Sequence, residues 1–151
     1  MVALKNHSDP FSVRVEPLFS WRLRVYWEDT DAGGVVYHAG YLRFLERART
    51  EWLRARGLGQ TALRERHGVL FVVRELTIGF DKPARLDDEL DATVSLAARR
   101  SASMELEQHL RRAPDGETLT RARVRVACVD ADTWQPCRIP DDITQMIEGS
   151  T

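Results

Sequence analysis

Cysteine is scarce in this sequence, and no long apolar run is present. Cys128 and Cys137 are the only cysteines among 151 residues, which excludes a disulfide framework and a four-cysteine zinc site. Cys128 extends the apolar row of Val124 and Val126, so we expect it to be buried. No stretch approaches the roughly 18 to 20 apolar residues of a membrane-spanning helix, and residues 1–20 lack the apolar core of a secretory signal. We therefore expect a cytoplasmic protein without a transmembrane segment, while peripheral membrane contact stays open.

Lysine is also rare, so arginine supplies nearly all of the 22 basic residues, which stand against 23 acidic ones. The two signs are interspersed, which argues against the continuous basic surface that binds nucleic acid. A planar guanidinium group suits phosphate well, so a local phosphate site stays open. The length of 151 residues, with 43% hydrophobic and 30% charged residues, is that of one ordinary globular domain.

Hydrophobic periodicity predicts a strand, a long helix, a short helix and four more strands. Apolar and polar residues alternate over residues 21–28, which indicates a half-buried strand. An apolar stripe follows and stops before Gly57, a typical helix C-terminal glycine, so we expect a helix of about five turns. The stripe consists of Leu42, Leu45, Ala48, Trp52 and Ala55. The remaining predicted elements are the helix 60–67 and the strands 71–80, 90–98, 103–112 and 118–129.

This order of elements predicts an α+β fold in which the long helix lies on one face of an antiparallel sheet. A turn signal at residues 114–116 joins the last two strands as a hairpin. Residues 1–18 show no sustained periodicity and are predicted to be an N-terminal arm, with residues 19–151 as a single domain. The open edges of such a sheet favour pairing with a second copy, so we expect a homo-oligomer.

Two carboxylates occupy a glycine-bearing loop between the first strand and the long helix. Gly33 and Gly34 let the backbone approach a ligand closely, and a helix N-terminus offers N–H groups to a carbonyl oxygen that becomes negative. Asp29 or Asp31 could act there as a nucleophile or as a base that activates water. The loop therefore has the parts of an ester or thioester hydrolase. The alternative is that the carboxylates cap the helix and the glycines turn the chain.

A calcium loop is a second alternative. Asp29, Asp31 and Gly34 match positions 1, 3 and 6 of an EF-hand. Gly33, however, stands at position 5, and Gly40 stands at position 12, where a bidentate glutamate is required. The calcium interpretation fails on the number of ligands, and we expect no metal.

His38 is predicted one to two turns inside the long helix, close enough to Asp31 for both to line one pocket. Its imidazole could polarise a carbonyl oxygen or hold a water molecule. A surface or capping role for His38 stays open.

Residues 29–38, with Tyr41 and the stretch 45–49, resemble the signature of the 4-hydroxybenzoyl-CoA thioesterase family of hotdog proteins. The sequence is most similar to the branch that is encoded beside the tol-pal genes of Gram-negative bacteria. The resemblance extends from about residue 19 to about residue 143. Further matching segments are 71–74, 82–88, 99–101, 123–127 and 138–140.

The resemblance implies a hotdog fold, in which the sheet wraps around the long helix and two sheets join edge to edge in a dimer. Tetramers are frequent, and the active sites lie at the dimer interface. The implied activity is hydrolysis of acyl-CoA to the free acid, and an acyl carrier protein thioester stays open as the natural substrate. No metal or cofactor takes part, and CoA enters only as part of the substrate.

The resemblance also assigns residues. The catalytic carboxylate falls on Asp31, and the backbone N–H groups that polarise the thioester carbonyl fall on Gly34, Tyr37 and His38. The His38 side chain is expected to assist catalysis, and Asp29 is expected to fix the loop.

Two further positions matter in this comparison. Arg99 and Arg100 match a basic pair that contacts CoA phosphates, although adjacent arginines at a strand end could equally be solvated. Trp27 stands where close relatives commonly have a tyrosine, four residues before Asp31. The missing hydroxyl puts the efficiency or the acyl preference in doubt.

Two other functions stay open. The first is a non-catalytic scaffold that binds acyl thioesters or an acyl carrier protein and is linked to the cell envelope. The second is a hydratase or dehydratase of acyl thioesters, but such relatives use a different motif centred on histidine. The sequence leaves the acyl chain length undetermined.

Overall fold

The computed structural model describes residues 19–148, and the predicted N-terminal arm lies outside them. Five strands form one antiparallel sheet in the order β1-β3-β4-β5-β2. The strands are β1 Phe19–Arg24, β2 Val69–Phe80, β3 Glu89–Arg99, β4 Ser103–Arg112 and β5 Thr118–Asp130. The helices are α1 Gly40–Arg54, α2 Gln60–His67 and α3 Asp141–Glu148. Helix α1 lies against the inner face of the sheet, which confirms the predicted arrangement.

The core lies between α1 and the inner face of strands β3, β4 and β5. Leu45, Ala48 and Trp52 of the predicted stripe are fully buried there, each removing apolar surface from water. Leu42 is 40% exposed, and Ala55 is exposed as well, so these two assignments were wrong. The aromatic residues Tyr41 and Phe44 take the core positions instead, and the buried stripe is rotated accordingly.

The C-terminus of α1 has the predicted glycine. Gly57 adopts a left-handed φ of 73°, and the N–H of Leu58 donates to the carbonyl of Leu53 over 2.9 Å. This geometry closes the last helical turn and starts the short connection to α2. The helix 60–67, the strand 103–112 and the hairpin turn at residues 114–116 are all found where the periodicity predicted them.

The first strand ends earlier than predicted. β1 stops at Arg24, and Trp27–Asp29 forms a single 3-10 turn instead of continuing the strand to residue 28. A carboxylate oxygen of Asp29 accepts the N–H of Tyr26 over 2.8 Å, which turns the chain. Trp27, which the alternation placed on the apolar face of the strand, is 80% exposed in consequence.

Two other differences concern helix boundaries. Helix α1 begins at Gly40, so His38 lies just before the helix and not inside it. Helix α3 was not predicted from the sequence. Its apolar residues Ile143 and Ile147 are buried in the core, and Arg138 pairs with Asp141 at its start over 3.0 Å.

Candidate active site

The loop that follows β1 folds back on itself as a tight hairpin. The N–H of Asp31 donates to the carbonyl of Val35 over 2.9 Å, and the N–H of Gly34 donates to the carbonyl of Asp31 over 3.0 Å. Thr30 and Val36 form a β-bridge next to this turn. Gly34 has a φ of 79°, a conformation that a residue with a Cβ atom adopts only with strain. The hairpin therefore places Asp31 at the base of its turn.

One oxygen of the Asp31 carboxylate is held and the other is free. Oδ1 accepts the N–H of Gly33 over 2.8 Å. A Cβ atom on Gly33 would lie 3.1 Å from this oxygen, so the glycine permits the close contact. Oδ2 has no hydrogen-bond partner within residues 19–148, and the side chain is exposed. A carboxylate oriented by one oxygen can bind water or a substrate atom with the other.

The three predicted backbone donors differ in availability. The N–H of Gly34 is used inside the turn, and the N–H of Tyr37 donates to the carbonyl of Asp29 over 3.0 Å. The N–H of His38 has no acceptor in the part of the chain that the structure describes. In this conformation His38 is therefore the donor of the three that can receive a ligand oxygen.

A cleft of about 260 Å³ opens beside His38. Its wall is aromatic: the ring of His38 lies 6.5 Å from that of Phe80, and the ring of Tyr41 lies 5.5 Å from Phe80. Val36, Asp81, Lys82 and Pro83 complete the lining. The cleft thus combines apolar and aromatic side chains with a few polar and charged ones, a composition common in ligand sites.

A segment that we call the strap, residues 83–88 between β2 and β3, holds the hairpin in place. The Tyr41 hydroxyl accepts the N–H of Ala84 over 3.0 Å, and the N–H of Val36 donates to the carbonyl of Ala84 over 2.9 Å. A further β-bridge joins Val35 to Arg85. This segment and Tyr41 belong to the stretches that resemble the thioesterase family, but their part in the site is visible only in the structure.

The pKa of the Tyr41 hydroxyl is changed by burial and by nearby charges. Burial raises the pKa of Tyr41 above its ordinary value, and the negative charges of Asp31 and Asp88 raise this pKa further, against the opposing effect of the Ala84 N–H. Tyr41 is therefore a neutral hydroxyl at neutral pH.

Asp29 has contacts of a structural kind. Its carboxylate caps the 3-10 turn, and its carbonyl accepts the N–H of Tyr37. Both contacts hold the loop, as expected from the sequence. Trp27 and Tyr37 project beside it, 80% and 51% exposed.

Arg99 and Arg100 lie at the opposite end of the sheet from Asp31 within one chain. β3 has 11 residues, and at about 3.3 Å per residue its ends lie roughly 33 Å apart. The two arginines line a cleft of about 330 Å³ together with Arg138, which the sequence analysis gave no role. Arg99 pairs with Glu148, whereas Arg100 has no carboxylate within 4 Å among residues 19–148. We call this the arginine cleft.

The sequence model of the thioesterase-like superfamily matches residues 25–147, which is most of the chain. The chain belongs to this superfamily. The acyl-CoA thioester hydrolase YbgC of Escherichia coli O6:H1 is 46% identical to this thioesterase over 126 residues, or 83% of this chain and 92% of the relative. The acyl-CoA thioesterase YbgC of Haemophilus influenzae is 45% identical over 125 residues, covering 83% of this chain and 90% of the relative.

Solved structures agree with this assignment. A probable thioesterase from Bartonella henselae superposes with a TM-score of 0.74 at 36% identity, covering 80% of this chain and 98% of that chain. The predictions of a hotdog fold and of a thioester-hydrolysing enzyme are thereby confirmed at the level of the family. No helix between residues 19 and 148 has the length and apolar character to cross a membrane. Within the same residues, no group of three or more His, Cys, Asp or Glu side chains could hold a metal ion.

Proposed function

We propose that this thioesterase hydrolyses acyl-CoA thioesters to a free carboxylic acid and CoA, with the chemistry at Asp31 and His38. The observation that supports this most is that one hairpin carries both a carboxylate oxygen without a partner, at Asp31, and an N–H without an acceptor, at His38, among residues 19–148. The names of the E. coli and H. influenzae relatives suggest acyl-CoA as the substrate.

The proposed reaction follows from the charge that develops. The substrate carbonyl oxygen accepts the His38 N–H, and the start of α1 adds the positive end of the helix dipole. Asp31 either removes a proton from water that attacks the carbonyl carbon or attacks that carbon itself. The tetrahedral intermediate then collapses and releases the CoA thiolate, which is protonated to the thiol. Direct attack by water gives the free acid at once, whereas attack by Asp31 leaves an acyl-aspartate anhydride that a water molecule then opens to the acid. Two measurements separate the routes: only attack by Asp31 leaves an acyl-enzyme that can be trapped, and only this route can place label from isotopically labelled water in the Asp31 carboxylate in a single turnover, when water opens the anhydride at the aspartyl carbon.

We further propose that each arginine cleft serves the Asp31 of a second copy. Along β2, the end at Phe80 borders the cleft beside His38, and the beginning at Val69 lies at the end of the sheet that holds the arginine cleft. Antiparallel pairing of two β2 edges brings the beginning of one β2 beside the end of the other. The phosphates of CoA would then meet arginines of one subunit while its thioester lies at Asp31 of the other.

The test is thiol release from acetyl-, butyryl-, palmitoyl- and benzoyl-CoA by the wild type and by Asp31→Asn. Asparagine keeps the acceptor for the Gly33 N–H but cannot act as a base, so the turn is retained and kcat/KM should fall by about 10² to 10⁴. Glu28→Gln is the matched control, because the Glu28 side chain is exposed on the same loop and has no hydrogen-bond or ion-pair partner between residues 19 and 148. Its rate should stay within about twofold of the wild type.

An Asp31→Asn variant that is folded and fully active would contradict the proposed site. No turnover by the wild type on any ester, including acyl carrier protein thioesters, would favour the alternative of a binding or scaffold protein. The proposal includes a cytoplasmic location, where acyl-CoA is made and used, and a single domain over residues 19–151.

A further inference from the structure

The two cysteines of the chain lie against each other. Cys128 is fully buried at the end of β5, Cys137 is half-buried, and their sulfur atoms are 3.7 Å apart. The residues stand directly opposite on two antiparallel segments: the N–H of Cys137 donates to the carbonyl of Cys128 over 3.0 Å, and Val129 and Pro136 form the neighbouring β-bridge. Both thiols are free.

This placement suits a covalent bond. Opposite residues of antiparallel segments have Cα atoms about 4.5 to 5.5 Å apart, which lies inside the range of about 4.4 to 6.8 Å found for disulfides. The sulfur atoms need to approach from 3.7 Å to about 2.0 Å, a movement that the turn between the two cysteines can supply.

We propose that Cys128 and Cys137 form an oxidation site that closes to a disulfide with a peroxide as oxidant, and that closure weakens substrate binding at the neighbouring arginine cleft. The second half rests on the proposed function. The structure assigns this site from the thiol pair itself and from the backbone contacts that join it to the cleft.

The chemistry balances with one peroxide molecule. The Cys137 thiolate attacks a peroxide oxygen, the O–O bond breaks, and Cys137 becomes a sulfenic acid while hydroxide leaves and is protonated to water. The Cys128 sulfur then attacks the Cys137 sulfur, and the Cys128 proton departs with the sulfenic hydroxyl as a second water. Two thiols have lost two electrons to the peroxide, and one S–S bond has formed.

The order of the two steps follows from exposure. Burial raises the pKa of the Cys128 thiol to about 12, and its hydrogen bond with Cys137 and the charge of a Cys137 thiolate add to this effect. Cys128 is therefore protonated and shielded in the reduced protein, so the more exposed Cys137 meets the oxidant first. Cys128 is then in position as the resolving thiol.

The cleft is coupled to the pair through the backbone. Arg138 follows Cys137 directly and lines the arginine cleft. On one side of the pair the N–H of Cys128 donates to the carbonyl of Ala102 over 2.8 Å, and the N–H of Ile139 donates to the carbonyl of Ser101 over 2.7 Å. A shift of Cys137 towards β5 therefore moves Arg138 relative to the loop that carries Arg100.

The first experiment follows the bond itself in the full-length protein. The wild type and Cys137→Ser are treated with hydrogen peroxide, and intact mass and non-reducing peptide maps are recorded. The wild type should lose the mass of two hydrogen atoms, give one linked peptide containing both cysteines, and return to its first mass with dithiothreitol. Cys137→Ser should form no such link. Oxidation of the wild type to sulfinic acid, or no reaction, would overturn the oxidation site whether or not the protein is a hydrolase.

The second experiment tests the coupling. Reduced and oxidised wild type are compared on an acyl-CoA and on the same acyl group carried by pantetheine, which lacks the nucleotide phosphates. Oxidation should raise KM for the acyl-CoA on the order of threefold to tenfold, the range for one weakened charge-assisted contact, and leave the pantetheine ester unchanged. Equal KM values for oxidised and reduced protein would overturn the coupling, and so would an equal change with both esters. If neither ester is hydrolysed, the proposed function fails. The coupling is then tested by itself, by calorimetric measurement of CoA binding to the reduced and to the oxidised protein.

Discussion

Tyr41 shows how one buried side chain can serve two parts of a site. Its ring packs in the core against Phe44, at a centroid distance of 6.2 Å, while its hydroxyl is the acceptor for the N–H of Ala84 in the strap. The same strap residue receives the N–H of Val36 from the hairpin. One hydroxyl thus connects the start of α1, which follows His38, with the hairpin of Asp31.

Replacing Tyr41 with phenylalanine should leave the Ala84 N–H buried without an acceptor. Such an unsatisfied donor costs about 1 to 3 kcal/mol, and the free energy of unfolding should fall by that amount in urea titrations followed by tryptophan fluorescence. The matched control is Tyr37→Phe, because the Tyr37 side chain is exposed and its hydroxyl has no hydrogen-bond partner between residues 19 and 148. Equal stability of the two variants would show that the Tyr41 hydrogen bond contributes nothing.

At the residue scale, the sequence could point to Asp31 because a carboxylate beside two glycines is visible in the order of residues. It could not identify Tyr41 or Ala84 as partners, since their contact joins positions 43 residues apart. The three backbone donors could not be ranked either. Whether each N–H is available depends on the carbonyl groups of Asp29 and Asp31. Every residue has a backbone carbonyl, so residue types do not predict these hydrogen bonds.

The outer face of the sheet is an array of charged side chains across strands β4 and β5. Glu107 is only 4% exposed and pairs with Arg123 over 3.2 Å and with His109 over 3.1 Å. Arg111 lies 3.2 Å from the other ring nitrogen of His109. Since arginine can only donate, this nitrogen acts as the acceptor and the imidazole is neutral.

Because of these contacts, the stability of the folded protein should depend on pH. Burial lowers the pKa of His109 below 6.5, and the positive charges of Arg111 and Arg121 lower this pKa further, against the opposing effect of Glu107. Below 6.5 the unfolded chain binds a proton that the folded chain resists, so stability falls as the pH drops through this region. The free energy of unfolding, measured in urea from about pH 8 to pH 5, should decrease for the wild type and decrease less for His109→Gln. Parallel curves would rule out this role of His109.

At the element scale, the predicted strands and the short helix agree with the structure because their periodicity is strong and their ends are marked by turn residues. The first strand was predicted too long because its alternation continues through Trp27, while the side chain of Asp29 turns the chain earlier. Helix α3 could not be predicted because it is short and has only two buried isoleucines. Its stability comes from packing on the core, which the local sequence does not show.

For the whole molecule, the decisive feature is the distance between the two parts of the proposed site. Asp31 and the arginine cleft occupy opposite ends, and β2 is an edge strand that pairs only with β5 among the described strands. Val73 on this edge is 47% exposed. A second copy that adds its own β2 would cover the edge and bring the two halves of a site together.

Val73→Lys should therefore lower the oligomeric state and the activity together. A lysine on an edge strand disfavours strand pairing by placing a charge at the contact. Sedimentation velocity over a range of protein concentrations should detect at least a dimer for the wild type and a shift towards monomer for the variant. Met146→Lys is the control, because Met146 is an exposed apolar residue on α3. A fully active monomer would contradict the shared site.

The strap has a consequence for refolding. Its contacts join residues that are far apart in the sequence: the N–H of Val25, next to β1, donates to the carbonyl of Asp88, and the Tyr41 hydroxyl accepts the N–H of Ala84. Contacts of such high sequence separation are closed late, after local helices and hairpins have formed. Recovered turnover would thus mark the end of folding in this protein, and a variant that keeps its activity has kept its topology.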